Sequence, residues 1–310
     1  MKKLMMTLLS VSLLFSTGAG AATQQYSRQL KPFSDLVVSD DFVVSLVRGT
    51  DYRALLSVEE AYADYITCSV SDGVLTIALD ERKVPVDVKR QFRGKGTPDP
   101  VFSAVVYVPE LLKSVSLSEK AVLRDTEDLF DKASVSFELS GNATVKPITV
   151  SSLDVKIKMQ QKSTADFKVL SCKRLTVETM NSSSLIIDEN SEDASYSLQG
   201  TSKVTAKSHT SRIGVRTKAN CTMSLYGSGD SAVFDINGTS EVDASSFEVP
   251  DAIISMSSVC LLKEAAYRSL SLNLNGGCTL MFANDPSVTI ESIKSATVTR
   301  LSGSKASTSL

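Results

Sequence analysis

The sequence has no tryptophan, a single histidine (His209) and only 6% aromatic residues. Without Trp the usual flat platform for stacking a sugar ring is missing, and surface Tyr is the remaining substitute. One His cannot build a His-rich metal site or a His cluster for acid–base chemistry. Charge of neither sign dominates, since 33 Lys and Arg stand against 35 Asp and Glu for a net charge of −2. That balance gives no electrostatic footprint for nucleic acid or anionic lipid. No serine-nucleophile signature, phosphate-binding Gly loop or calcium-loop spacing of alternating Asp occurs. The five Cys form no Cys-x-x-Cys pair, which excludes the common redox and zinc spacings. No metal and no cofactor is expected.

What is present begins with a targeting pattern. Lys2 and Lys3 form a basic start, residues 4–15 are mostly apolar, and Ala19-Gly20-Ala21 is an A-x-A cleavage site. Residues 1–22 read as a signal peptide, too short in its apolar run to anchor the chain. No later stretch is long and apolar enough to cross a membrane. The expected location is therefore exported: periplasm, outer surface or secreted.

The dominant feature is a recurring phrase, clearest in Gly141-Asn142-Ala143-Thr144-Val145, Gly200-Thr201-Ser202-Lys203-Val204 and Gly238-Thr239-Ser240-Glu241-Val242. Its small central residue recurs as Ala121, Ala143, Ser163, Ser183, Ser202, Cys221, Ser240, Cys260, Cys278 and Ala296, every 18 to 22 residues. Six before each centre the residue is apolar throughout, from Val115 and Phe137 to Leu272 and Ile290. Two after it is apolar again, from Leu123 to Val298. Four before, the column from Leu117 to Leu274 is apolar except at Thr179, Thr217 and, in the last copy, Ser292. Polar residues alternate between them, so each copy holds two strands with one face buried. A coil of roughly 19 residues that keeps its phase predicts an all-β parallel β-helix, a solenoid, over residues 111–301. The centre would be a tight inward corner, where only Ala, Ser or Cys fits and a preceding Gly supplies backbone freedom. Three of the five Cys then serve as small buried residues. Cys260 and Cys278 fall in neighbouring coils, close enough to bridge but poorly aimed for it. Leucine-rich repeats share the period, but their Leu/Asn spacing is absent.

Residues 23–110 are less regular and read as an N-terminal β region of irregular first coils that caps the stack. Residues 71–73, Ser-Asp-Gly between two β-branched runs, predict a hairpin. Residues 81–100, charged and interrupted by Pro and Gly, predict a mobile surface loop, and 302–310 a polar tail.

Candidate chemistry is sparse. The best acidic cluster is Asp235, Glu241 and Asp243, with Lys203, Arg216 and Lys263 in adjacent coils. Carboxylates so grouped could serve a polysaccharide lyase or hydrolase. Asp235 and Asp243 flank a corner, however, and are expected on different faces, so the cluster reads as solvated surface. Stacking in register pairs Arg216 with Asp235 and alternates Glu138, Lys158 and Glu178. Four Asn-x-Ser/Thr triplets, at Asn142, Asn181, Asn220 and Asn237, are by-products of the corner phrase.

The segment at 26–49, the run Val70-Ser71-Asp72-Gly73-Val74-Leu75-Thr76-Ile77, the stretch 105–118 around Pro109, and Leu139-Ser140-Gly141-Asn142-Ala143 together resemble the adhesin head-domain family called GIN, also catalogued as a domain of unknown function. The resemblance covers most of the chain after the signal peptide. It implies a right-handed β-helix and an envelope or secreted location in Bacteroides-like Gram-negative bacteria. It implies an adhesive role by fold analogy and brings no catalytic residues with it. The expected function is an exported, non-enzymatic β-helix acting as an adhesin or cell-envelope scaffold for a protein or glycan partner. The alternatives are the pectinase-like enzyme using Asp235, Glu241 and Asp243, and a self-assembling envelope protein, a homo-oligomer.

Overall fold

The computed structural model describes residues 23–94 and 99–301, so the expected signal peptide and polar tail lie outside the described residues. The chain is a parallel β-solenoid of about ten turns, with 68% strand and 4% helix. Its inward columns follow the sequence period. One ladder runs from Val115 through Phe137, Ile157, Val177 and onward to Leu272 and Ile290. A second runs from Leu123 through Val145 and Ala165 to Leu280 and Val298. Between Thr164 and Ser258 five strands of 16 to 18 residues each wrap around the coil. Nearly every inward side chain there is buried, and a fully buried aliphatic or aromatic side chain contributes about 1.5–3 kcal/mol of transfer free energy. The interior holds an aromatic run as well, Phe130, Phe137 and Phe167, with ring centroids 5.1 and 4.8 Å apart.

The corner column is buried from Ala121 to Cys278. Where the centre is Ser, its hydroxyl donates to the carbonyl three residues back: Ser163 to Gln160 at 2.9 Å, Ser183 to Met180 at 3.0 Å, Ser240 to Asn237 at 2.9 Å. Cys221 and Cys260 place their thiols against the equivalent carbonyls, of Lys218 at 3.3 Å and Ser257 at 3.4 Å. The small residue is therefore both a space filler and a clamp on the turn. All five Cys are buried free thiols, and burial pushes Cys172 up to about 12 and Cys260 to about 11. Two residues before each centre the backbone has positive φ in every copy from Glu119 to Gly276. Glycine meets that need at 141, 200, 238 and 276, while Glu119, Gln161, Asn181, Ala219 and Ser258 adopt it without glycine. The recurring requirement is the left-handed backbone, with Gly one way to meet it.

The N-terminal region contains a coil that lies outside the regular column of corners. Leu36 and Val38 pair in parallel with Val115 and Leu117, and Val44 with Leu123. Asp40 supplies the positive φ, and Phe42 stands where a small centre is expected. This coil and the next are 79 residues apart in sequence, as the Asp41–Lys120 ion pair at 3.1 Å shows. The intervening chain closes the stack with antiparallel pairing. Residues Arg53–Glu59 pair with Phe102–Val108 on one side and with the polar edge strand Thr23–Gln29 on the other. Residues Ile66–Ser71 and Val74–Leu79 form the expected hairpin, with Asp72 and Gly73 both at positive φ. In place of a loop throughout 81–100, Val86–Gln91 forms a short helix. It docks because Val88 and Phe92 reach the core, Phe92 lying 5.4 Å from the Tyr62 ring. Residues 95–98 lie outside the described residues.

The last coil departs from the sequence columns. A register shift between Leu272 and Asn273 pairs Leu274 with Ile293, not with Ser292. One extra residue at this bulge displaces the polar Ser292 from the inward column. Ile290, Ile293 and Val298, inward by register, are 59%, 39% and 38% exposed, because no further described coil stacks on them.

Candidate functional surface

Outward side chains form straight ladders, one rung per coil, and opposite charges occupy adjacent rungs. Asp154, Arg174, Asp193 and Arg212 make one column, with Arg212 Nη2 2.6 Å from Asp193. Lys207 lies 3.3 Å from Asp188, and Lys156 reaches Glu178 at 3.8 Å. The expected Arg216–Asp235 pair is present at 3.0 Å, whereas Glu178 takes its cation from the next outward column, not from Lys158 directly below it. Arg268 grips Asp251 and draws its carboxyl down to about 2, helped by Ser269. Hydroxyls near the corner also stack, as in Thr144–Thr164 at 3.1 Å and Ser182–Thr201 at 2.9 Å.

The acidic residues singled out from the sequence separate into two groups. Asp235 stands in the column of Arg216 and Ser255, before the corner. Asp243 stands after it, between Ser224 and Lys263. Glu241 stands in a neighbouring column between Thr222 and Leu261, with Lys203 two coils below it. Lys263 Nζ joins Glu241 at 3.9 Å and Asp243 at 3.0 Å. Burial pushes the Asp243 carboxyl upward, but hydrogen bonds from Ser245 and Lys263 together outweigh it and hold the group below its ordinary range. A carboxylate so held is a poor proton donor at neutral pH. The geometry brings Glu241 and Asp243 to one cation and leaves Asp235 to another.

A second corner carries a shallow, open polar hollow that the repeat reading passed over. Strand pairing is interrupted at Glu192, Ser211 and Asp230. Beside the gap Asn190, His209, Ser228 and Glu248 form an outward ladder, with His209 Nδ1 3.2 Å from Ser228 Oγ. Asn190, His209, Ser211, Ser228 and Asp230 line the hollow together with Gly229 and the hydroxyls of Ser191 and Thr210. The last two are nearly buried and joined at 3.0 Å. Gly229 is held bare by close approach, since a Cβ there would lie 2.9 Å from the Phe247 ring. The signal was in the sequence: Asn190, His209 and Ser228 are spaced by one coil each.

Sequence columns also missed acids that point inward. Glu189 follows Val150 and Val169 in an apolar column and is 1% exposed. Burial pushes its carboxyl up, against hydrogen bonds led by Ser208 and Ser191. Glu264, also 1% exposed, caps the Ala266 amide, and burial raises it to about 7. Each keeps one carboxyl oxygen with no protein partner. Among the described residues, no three His, Cys, Asp or Glu side chains gather so as to hold a metal ion. No helix among them is long and apolar enough to cross a membrane.

Comparison with known proteins follows the fold. The family model described as "Putative auto-transporter adhesin, head GIN domain" matches residues 32–188. Among solved structures, the chain is similar to a "putative adhesin" from Parabacteroides merdae, at 14% identity over 92% of this chain and 98% of that one, with a TM-score of 0.49. It is similar to a "putative adhesin" from Parabacteroides distasonis at 12% identity, 92% and 98% coverage and a TM-score of 0.48. A "putative lipid binding protein" from the same species shows 12% identity, 92% and 98% coverage and a TM-score of 0.44. No curated protein matches the chain.

Proposed function

Because the chain belongs to the family of auto-transporter adhesin head GIN domains, we propose that it is an exported, non-enzymatic β-helix that binds a protein or glycan partner at the cell envelope or beyond it. The observation that carries this reading is the outward surface. Its rungs repeat once per coil, as the run of Asp154, Arg174, Asp193 and Arg212 does, and they offer many similar weak contacts to an extended partner. The acids nominated for chemistry are engaged with cations, and Asp243 is held in its ionised form. An adhesive scaffold needs such a surface; a glycosidase needs one carboxyl able to give a proton. The test is binding of the purified chain to extracellular matrix proteins, glycans and envelope components. Saturable binding to a member of the panel supports the reading, and binding to none removes it.

A second reading draws on the last coil. Ile290, Ile293 and Val298 are exposed beside strands Ser287–Lys294 and Thr297–Arg300, whose outer edges pair with no described strand. Open strand edges with apolar neighbours favour association, so a homo-oligomer joined at this end is the competing arrangement.

A further inference from the structure

We propose that the hollow at the second corner binds an uncharged sugar unit of a glycan, with Asn190, His209, Ser228 and Asp230 holding its hydroxyls and Tyr226 covering one face of its ring; this rests on the adhesive reading and names its contact site. The argument starts from the chemistry lining the hollow. A sugar presents neighbouring hydroxyls that both donate and accept. The hollow answers with an amide at Asn190, an imidazole at His209, hydroxyls at Ser211 and Ser228, and a carboxylate at Asp230. Behind them Ser191 and Thr210 are already tied to each other at 3.0 Å, and Thr210 also lies 3.1 Å from the Arg212 carbonyl. Their fixed hydroxyls make a preformed back wall, which lowers the ordering cost of binding.

The strand leading to the hollow supplies the apolar component. Tyr226 stands two residues before Ser228 on the same outward side of the strand and is 46% exposed. A phenol ring in that position covers the C–H face of a sugar in the role that Trp, absent from this sequence, commonly fills. Charge sets the ligand class. Asp230 lines the hollow and Glu248 is the next rung after Ser228, while the nearby Lys207 is paired with Asp188 at 3.3 Å. A uronate or other anionic sugar would meet like charge, so a neutral hexose is the class that fits. Glu241, Asp243 and Lys263 lie outside this hollow, which separates the site from the acids considered for catalysis.

The experiment uses the full exported chain on a printed array of neutral hexose-terminated and uronate-terminated oligosaccharides. The proteins are wild type, an Asn190→Ala/His209→Ala double variant, Tyr226→Ala, and Asp235→Ser as a control in another column. Thermal melts establish that each variant is folded; all four positions face outward, so melting should change little. Expected is wild-type binding to neutral hexoses, lowered at least about tenfold in the double variant and in Tyr226→Ala, and unchanged in Asp235→Ser. Retained binding in the double variant, or preference for uronate-terminated glycans, overturns the site while leaving adhesion standing. No glycan bound by wild type overturns the site and confines the adhesive reading to protein partners.

Discussion

Gly200 shows how a single position holds the coil. It sits at φ +85, and an added Cβ would lie 2.8 Å from Asn181 Cα in the coil below. Gly200→Ala should therefore lower stability by about 1–3 kcal/mol, read from chemical denaturation midpoints. Asn181→Gly, at the same place one coil earlier and already at φ 60, should change stability by less than ~1 kcal/mol. Equal effects from the two substitutions would contradict the account of the corner. Glu264 gives one part of the pH dependence, beside the buried Glu189. Its folded carboxyl is raised to about 7 from an ordinary value of 4.5, chiefly by burial. The folded state thus keeps a proton that the unfolded chain has released. This contribution is fully present below about pH 4.5 and is lost as pH rises through about 7, amounting to about 3 kcal/mol. Glu264→Gln should flatten stability over that window in melts at successive pH values. An unchanged slope would show that Glu264 is not the group responsible.

At the scale of the element, the outward ladders and the corner divide the work. The Asp193–Arg212 pair is well formed but exposed, so Asp193→Ala should barely move the midpoint of a denaturant titration, and still less at high salt. A large drop in the midpoint would mean the ladder, and not the core, holds the stack. Such pairs act mainly on register, because a slipped coil would set like charges together. The coil itself was legible in the sequence because one constraint repeats at each corner. From Ala121 to Cys278 a small residue, an apolar one two places on and another six places back recur together. The first coil was legible only as an irregular one, because Phe42 takes the small position and the cap is inserted before the next coil. Glu291 and Ser292 misled it in the opposite way, since a one-residue bulge leaves no mark in composition. The hollow was harder still. Period alone aligns Asn190, His209 and Ser228, but only the folded corner shows that the strands part beside them. Asp235 and Asp243 lie on opposite sides of a turn that the pattern itself locates.

For the whole molecule, the two ends differ. The N-terminal end closes with antiparallel strands and a polar edge, Thr23–Gln29. The other described end leaves Ile290, Ile293 and Val298 exposed. If that end joins a second copy, light scattering should show mass rising with concentration, and Ile290→Lys with Val298→Lys should restore a monomer. A wild-type chain that stays monomeric at high concentration sinks the oligomer reading and leaves the adhesive one intact. The most direct test of the central claim follows one preparation for both binding and turnover. The purified chain is immobilised and exposed to matrix proteins, neutral and uronate-containing glycans and envelope components, and every ligand is recovered and analysed by mass. The account predicts saturable, reversible binding to at least one of them, with each ligand recovered unchanged. A ligand cleaved by the wild-type chain and spared by Asp235→Asn or Asp243→Asn would contradict it.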